Sequence, residues 1–207
     1  MRQNPKSDVR SFQPCLPIRT VRPQSNLPRS SECKRRRAPT VLTTDEIKAM
    51  LHSLSTRERT LVHLAVSTGL RQSELFGLKW GDIDPVQGAM NVTRSIVYGV
   101  VGPCKTESSQ KPVPVHPLLA DALSDWRKQC AYTKPDDWVF ASKRHRGRRP
   151  YWGQAILRKY LRPVAQRLGI RKCIGWHTFR HYAEFRTMPS RTGIGSFWAV
   201  LRNAHTA

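Results

Sequence analysis

His177 and Arg180 stand three residues apart in Gly175-Trp176-His177-Thr178-Phe179-Arg180-His181. On a helix that spacing brings an imidazole and a guanidinium to one face. A second arginine, Arg71, sits in Thr68-Gly69-Leu70-Arg71-Gln72-Ser73-Glu74-Leu75, and Lys105 lies between the two stretches. Two arginines can grip the non-bridging oxygens of a phosphate in fork geometry, while a lysine and a histidine move protons at the leaving and attacking oxygens. Arginine, lysine, histidine and arginine, in that order, are equipment for phosphoryl transfer without a metal.

The elements that must position these groups are readable from pattern. Thr43-Thr44-Asp45-Glu46 offers a hydroxyl cap followed by acids and predicts a helix to about residue 54, with Ile47, Met50, Leu51 and Leu54 as its apolar stripe. A second helix, 57–67, buries Leu61, Leu64 and Ala65, and Gly69 stops it. Arg71 opens a short helix carrying Leu75 and Leu78. There Arg71 reads either as an ordinary ion-pair partner of Glu74 or as a phosphate ligand oriented by it. Asp82-Ile83-Asp84-Pro85 reads as a turn, residues 89–98 alternate like a strand, and residues 112–115 form a second strand, so Lys105 falls in a hairpin region. Pro117 starts a core helix with Leu118, Leu119, Ala122, Leu123, Trp126 and Cys130 on one stripe. Trp138-Val139-Phe140 is a short buried extended segment. A helix over 153–168 turns Ile156, Tyr160, Val164 and Leu168 inward. The fold class is mainly α with a small antiparallel β-hairpin or sheet, an α+β domain.

Charge narrows the partner. The 207 residues carry a formal net charge of +22, which points to a polyanion, nucleic acid before acidic membrane. Between Lys143 and Lys172 there are eleven Lys or Arg and no acid. Lys143, Arg144, Arg146, Arg148 and Arg149 on a loop, with Arg158 and Arg162 on the helix, are the candidate contacts to a DNA backbone. Phosphate contacts position a protein and do not encode sequence. Residues 1–38 hold ten Lys or Arg, two acids and five prolines, the composition of a disordered basic arm. Within it Lys34-Arg35-Arg36-Arg37 reads as a solvated linker, with contact to DNA as the alternative. No run of about 20 apolar residues and no signal-like h-region is present, so a cytoplasmic protein without a membrane span is expected.

Five cysteines are scattered without a C-x-x-C pair, which suggests reduced thiols. Cys173, His177 and His181 fall at i, i+4 and i+8, but the H-x-x-x-H lacks a zincin glutamate and encloses Arg180, so no metal and no cofactor are expected.

At these same residues the chain resembles the tyrosine recombinases, or phage-type integrases. Thr68-Gly69-Leu70-Arg71-x-x-Glu74-Leu75 is similar to the family's first arginine box and His177-x-x-Arg180-His181 to its second. Lys105-Thr106, followed by Lys111-Pro112-Val113-Pro114-Val115, is similar to its hairpin lysine and the next strand. The resemblance runs from about residue 41 to 181. It implies a recombinase catalytic-domain-like fold over 39–181, with an atypical tail over 182–207. It also implies a double-stranded DNA partner and strand breakage and rejoining through a 3'-phosphotyrosyl intermediate. In that scheme Arg71 and Arg180 hold the phosphate, Lys105 protonates the departing 5' oxygen, His177 assists removal of the tyrosine proton, and Glu74 orients Arg71.

The family pattern also asks for a third histidine or tryptophan and a tyrosine nucleophile beyond the second box. His205 is a weak stand-in for the former. The 26 residues from Tyr182 hold one tyrosine, Tyr182 itself, too close to Arg180 to fold back over the phosphate. No nucleophile is therefore assigned. The expectation is a truncated or frame-shifted copy, diverging near Tyr182, that binds phosphate but lacks the covalent step. Room for the family's helical core-binding domain is also lacking, and a monomer in solution is expected where family members assemble on DNA. A non-catalytic DNA-binding protein is the alternative. An RNA-binding or ribosome-associated protein is favoured by charge alone and explains none of the boxes.

Overall fold

The computed structural model describes residues 40–104 and 112–187, with side chains through 185, all within the unit Ala38–Ala207. The readings made for the arm 1–38, for Lys105 and for His205 fall outside the described residues.

Helix α1 (Thr44–Ser53) begins as the sequence predicts. The Glu46 N–H donates to Thr43 Oγ1 at 3.2 Å, and the Thr43 N–H donates to Glu46 Oε2 at 2.6 Å. That reciprocal box satisfies two of the donors a helix start leaves open. Ile47, Met50 and Leu51 face inward. Helix α2 (Thr56–Thr68) is the centre of the domain, packed against α1, α4 (Pro117–Gln129) and α7 (Trp176–Thr187). Its Leu61, Val62, Leu64, Ala65 and Val66 are all buried, more of its circumference than a one-sided stripe supplies. Gly69 ends it in the left-handed conformation, φ 65°, where glycine carries no Cβ penalty.

Glu46 also accepts a hydrogen bond from Lys172 Nζ at 2.7 Å, tying α1 to the chain just before α7. Burial alone raises the Glu46 pKa, but Lys172 and the Thr43 hydrogen bonds outweigh it and hold the carboxyl below its ordinary 4.5. A carboxyl depressed in the folded state stabilises it above the unfolded pKa, and that contribution fades as pH falls through the folded value. Lys172→Met should therefore flatten the acid limb of stability below about pH 5, by less than ~1 kcal/mol for so exposed a pair, in urea unfolding run as a pH series.

The β structure is small and antiparallel. Strands β1 (Ile83–Asp84), β2 (Ala89–Met90) and β5 (Val113–Pro114) form one sheet in the order β1-β2-β5, while β3 (Arg94–Val97) and β4 (Val100–Pro103) form a separate hairpin. Two expectations are corrected here. Residues 83–84 of the expected turn are a strand, and the turn follows them, with Asp84 Oδ1 accepting the Val86 and Gln87 N–H groups at 2.9 and 3.0 Å. The single strand 89–98 is two pieces. The Asn91 N–H continues the pairing with β1 by bonding the Asp82 carbonyl at 2.8 Å, Val92 then plugs into the core, and Arg94, which opens the hairpin strand, reaches Asp82 Oδ2 at 2.5 Å. Pairing of 89–90 with 113–114 keeps the predicted outer strands together, with the β3–β4 hairpin inserted between them.

Helix α4 buries Leu119, Ala122, Leu123 and Trp126, and the Trp126 indole donates to the Val139 carbonyl at 2.8 Å. At its end Cys130 is half-buried, and burial pushes its thiol up to about 11, the state of an unreactive cysteine. The predicted helix over 153–168 is interrupted. It runs as α5 (Gly153–Ile156), a π-helical turn (Leu157–Leu161) and α6 (Arg162–Arg167). Pro163 explains the break, since it offers no N–H to the carbonyl four residues back and its ring collides with that carbonyl. The wider turn shifts the inward face. Leu157 and Leu161 are buried, whereas Tyr160 and Leu168, expected inside, are exposed. Among the described residues no helix is long and apolar enough to cross a membrane.

Candidate functional site

The turn that ends α2 delivers Arg71. Thr68 Oγ1 donates to the Leu64 carbonyl at 2.7 Å, Gly69 reverses the chain, and Arg71 becomes the extended residue before the short α3 (Gln72–Leu75). Glu74, with its side chain only 3% exposed, holds Arg71 twice. One carboxylate oxygen accepts the Arg71 backbone N–H at 2.9 Å and the other pairs with Nη1 at 2.9 Å. The ion pair foreseen as the ordinary reading is thus present, in the geometry that would orient a phosphate ligand.

The second box is the start of α7. Thr178 Oγ1 accepts the Gly175 N–H at 3.1 Å, which sets the first turn. Trp176, Phe179, Tyr182 and Ala183 point into the core, leaving His177, Arg180 and His181 on the outer side. Arg180 Nη1 donates to the Gly69 carbonyl at 2.8 Å, so the two arginine boxes are bonded to each other through the α2 cap. A Cβ on Gly69 would lie 3.3 Å from the Ala183 Cβ, so glycine also lets α7 approach this closely. Sequence reasoning misses Glu184, although its i+4 spacing from Arg180 was legible. Its Oε1 pairs with Arg180 Nε at 2.7 Å and its Oε2 lies 3.2 Å from His181 Nδ1.

Arg71 and His177 open onto one cleft of about 780 Å³. Its other basic walls are Arg144, His145 and Arg149 from the loop and Lys159 from the π turn, and among the described residues no Asp or Glu lines it. Of the predicted DNA contacts, Arg144 and Arg149 are therefore brought together with Arg71 and His177. Lys143, Arg146, Arg148, Arg158 and Arg162 are exposed but do not line the cleft, and neither does Arg180. Arg162 instead donates from Nε to the Ile174 carbonyl at 3.2 Å. The basic loop is a closed turn. Ser142 N–H donates to the Arg149 carbonyl at 2.8 Å and Gly147 N–H to the Ser142 carbonyl at 3.1 Å, and of the loop arginines Arg144 and Arg149 line the cleft while Arg146 and Arg148 do not.

Lys159, on the π turn, lines the cleft, whereas its neighbour Arg158 does not. Gln72, Gln154, Tyr98 and Trp152 are further lining residues that sequence reasoning did not single out, and the two glutamines meet at 3.1 Å. Gly153 permits this convergence. A Cβ there would sit 2.6 Å from the Phe76 ring and 2.7 Å from Gln72 Nε2. Cys173 precedes α7, so it does not share the helix face of His177 and His181 as the spacing suggested. Tyr182 is 2% exposed and its hydroxyl donates to Thr44 Oγ1 at 3.3 Å.

Residues 40–190 match the family model described as phage integrase family. The chain belongs to the phage integrase family. It is 31% identical over 176 residues to the tyrosine recombinase XerC of Xylella fastidiosa (strain 9a5c), covering 82% of this chain and 54% of that protein. It is 26% identical over 165 residues to the prophage integrase IntR of Escherichia coli (strain K12), covering 70% of this chain and 40% of that protein. The chain thus spans about half the length of the curated relatives it matches. Among solved structures, the XerA recombinase shares the fold at a TM-score of 0.58 and 23% identity, over 83% of this chain and 58% of that one. The Tn1549 transposon integrase in complex with circular intermediate DNA does so at 0.60 and 14%, over 81% and 58%. The phage integrase match continues past Tyr182, where the divergence was expected, and α7 likewise continues to Thr187.

Proposed function

We propose that this domain binds double-stranded DNA and seats a backbone phosphate for the metal-free strand transfer of site-specific recombination. The observation that carries this reading is the basic cleft that gathers Arg71, His177, Arg144, Arg149 and Lys159 beside a second arginine, Arg180, bonded to the same α2 cap. In it Arg71 and Arg180 hold the non-bridging oxygens, His177 assists removal of the proton from the attacking hydroxyl, and Lys105 protonates the leaving 5' oxygen. Arg180 must exchange part of its Glu184 pairing for the phosphate, a swap between two anions. Binding of DNA is supported by the Tn1549 neighbour, which was solved on DNA.

Tyr182 does not serve as the nucleophile in this reading. A hydroxyl turned into the core toward Thr44 cannot attack a phosphate held on the outer side of the same helix. The described residues supply the phosphate-holding half of the reaction, and with Tyr182 buried they bind the phosphate without forming the 3'-phosphotyrosyl link. That burial also favours the second reading, a DNA-binding protein without chemistry.

A nicked suicide duplex, titrated at several salt concentrations, tests both parts. Arg144→Ala/Arg149→Ala should lower affinity by about 10–100-fold and reduce the steepness of the log–log salt dependence by about 2, close to 0.9 per lost phosphate contact. Lys128→Ala, outside the cleft lining and in an exposed pair with Asp125, should change neither. Equal losses from Lys128→Ala would reduce the site to diffuse charge. A covalent protein–DNA adduct would overturn the incomplete-chemistry reading.

A further inference from the structure

The charges of the cleft suit a DNA backbone, but two of its walls do not. Tyr98 is 87% exposed and Trp152 is 50% exposed, and their rings face each other at 6.4 Å between centroids with a tilt of 36°. Tyr98 occupies the tip of the β3–β4 hairpin and Trp152 the residue before α5, so two separate elements converge to make the pair. Neither ring is needed by the core, and both line the cleft with Arg144, Arg149 and Lys159.

The backbone at Tyr98 strengthens the point. Val97 pairs with Val100, leaving Tyr98-Gly99 as a two-residue turn with φ of 50° and 81°. Both central positions of such a turn need positive φ, which suits Asn-Gly and penalises a bulky aromatic. A tyrosine held there, with Val97, Val100 and Val101 also exposed around it, serves neither stability nor solubility. Strained residues of this kind mark sites where the side chain is wanted for contact.

We propose that the Tyr98–Trp152 pair is a stacking platform for one unpaired DNA base, whose flanking phosphates rest on Arg144, Arg149 and Lys159. The inference builds on the DNA-binding reading and specifies its substrate as a duplex with a base out of the stack. Every base offers a π face, an exposed aromatic beside a basic groove is the recurring means of holding one, and phosphates alone would leave both rings idle. The arginines and lysine of the lining supply a charge complementarity that an apolar protein partner would not need.

The full chain is titrated with a fully paired duplex and with the same duplex carrying a single bulged 2-aminopurine. The bulged duplex should bind about tenfold tighter, with quenching of 2-aminopurine fluorescence as the base stacks. Trp152→Ala should erase the preference and the quenching by weakening the bulged duplex about tenfold more than the paired one, and Trp152→Phe should keep most of both. Tyr98→Asn should lose most of the preference while raising the thermal midpoint by about 2–4 °C, which separates lost stacking from lost folding. Equal affinity for the two duplexes, or equal weakening of both by Trp152→Ala, would overturn the platform and leave the DNA-binding reading standing. Concentration-dependent dimerisation abolished by Tyr98→Asn, without a base preference, would instead assign the hairpin to a second copy. Failure to bind either duplex would overturn the DNA-binding reading itself.

Discussion

Arg71→Ala should cost about 2–4 kcal/mol of stability and, in the variant that remains folded, about tenfold or more in DNA affinity. The two losses have different origins. The stability loss belongs to Glu74, not to Arg71, whose side chain is 35% exposed while that of Glu74 is 3% exposed. Removing the guanidinium leaves a buried carboxylate held by one backbone N–H, and an uncompensated buried charge is costlier than the pair was worth. The exposure of Arg71 keeps the figure toward the lower end of the range for fully buried pairs. The affinity loss comes from a missing fork donor in the cleft.

A second substitution separates them. In Arg71→Ala/Glu74→Gln the amide oxygen can still accept the residue-71 N–H, and no charge is stranded. Most of the lost stability should return, while DNA affinity stays at the Arg71→Ala level. Chemical denaturation and duplex titration on the four members of this cycle measure the coupling directly. If Glu74→Gln restores neither quantity, Arg71 acts chiefly through some other contact. If it restores both, the cleft does not use Arg71 for phosphate.

The behaviour of these boxes shows what a sequence can carry. Each was legible because its residues are local: Thr43 and Glu46 make the α1 cap, Gly69 ends α2, and Arg71 pairs with Glu74 three residues away. The stripe of α4 was legible for the same reason, since one regular helix preserves one phase. The readings failed where a distant partner decides. Residues 89–98 divide because Ala89 and Met90 pair with residues 83–84 while Arg94 to Val97 pair with the strand that follows, and Val92 between them is buried in the core. A regular helix would keep one phase after Ile156, and the π turn before Pro163 leaves Tyr160 exposed instead. Here a local signal existed and was not used, because a proline within a helical pattern was sufficient reason to doubt the register. The Tyr98–Trp152 pair had no such signal, for nothing in spacing brings a hairpin tip to the start of α5.

Phe179→Ala is the complementary case, large in stability and small in binding. Phe179 is fully buried in the stretch between His177 and Arg180, both on the outer side of α7, and its ring lies 6.0 Å from that of Trp176, which in turn meets Phe76 at 5.3 Å. Truncation removes a buried aromatic and leaves a cavity that these rings, already packed edge to face, fill poorly. The expected cost is about 3–5 kcal/mol, or roughly 6–20 °C in the thermal midpoint for a domain of this size. Yet the Arg180 bond to the Gly69 carbonyl and the Glu74 hold on Arg71 involve no atom of Phe179. Well below its lowered midpoint, the variant should bind DNA within about threefold of the parent, since its charges are unchanged. Arg71→Ala and Phe179→Ala would then destabilise to comparable extents while differing clearly in DNA affinity, a separation that thermal melts and titrations on the same samples can read. If Phe179→Ala loses affinity as steeply as Arg71→Ala while still folded, the seam between α2 and α7 is what holds the arginines in register, and packing beneath the cleft governs binding as much as the charges on its surface.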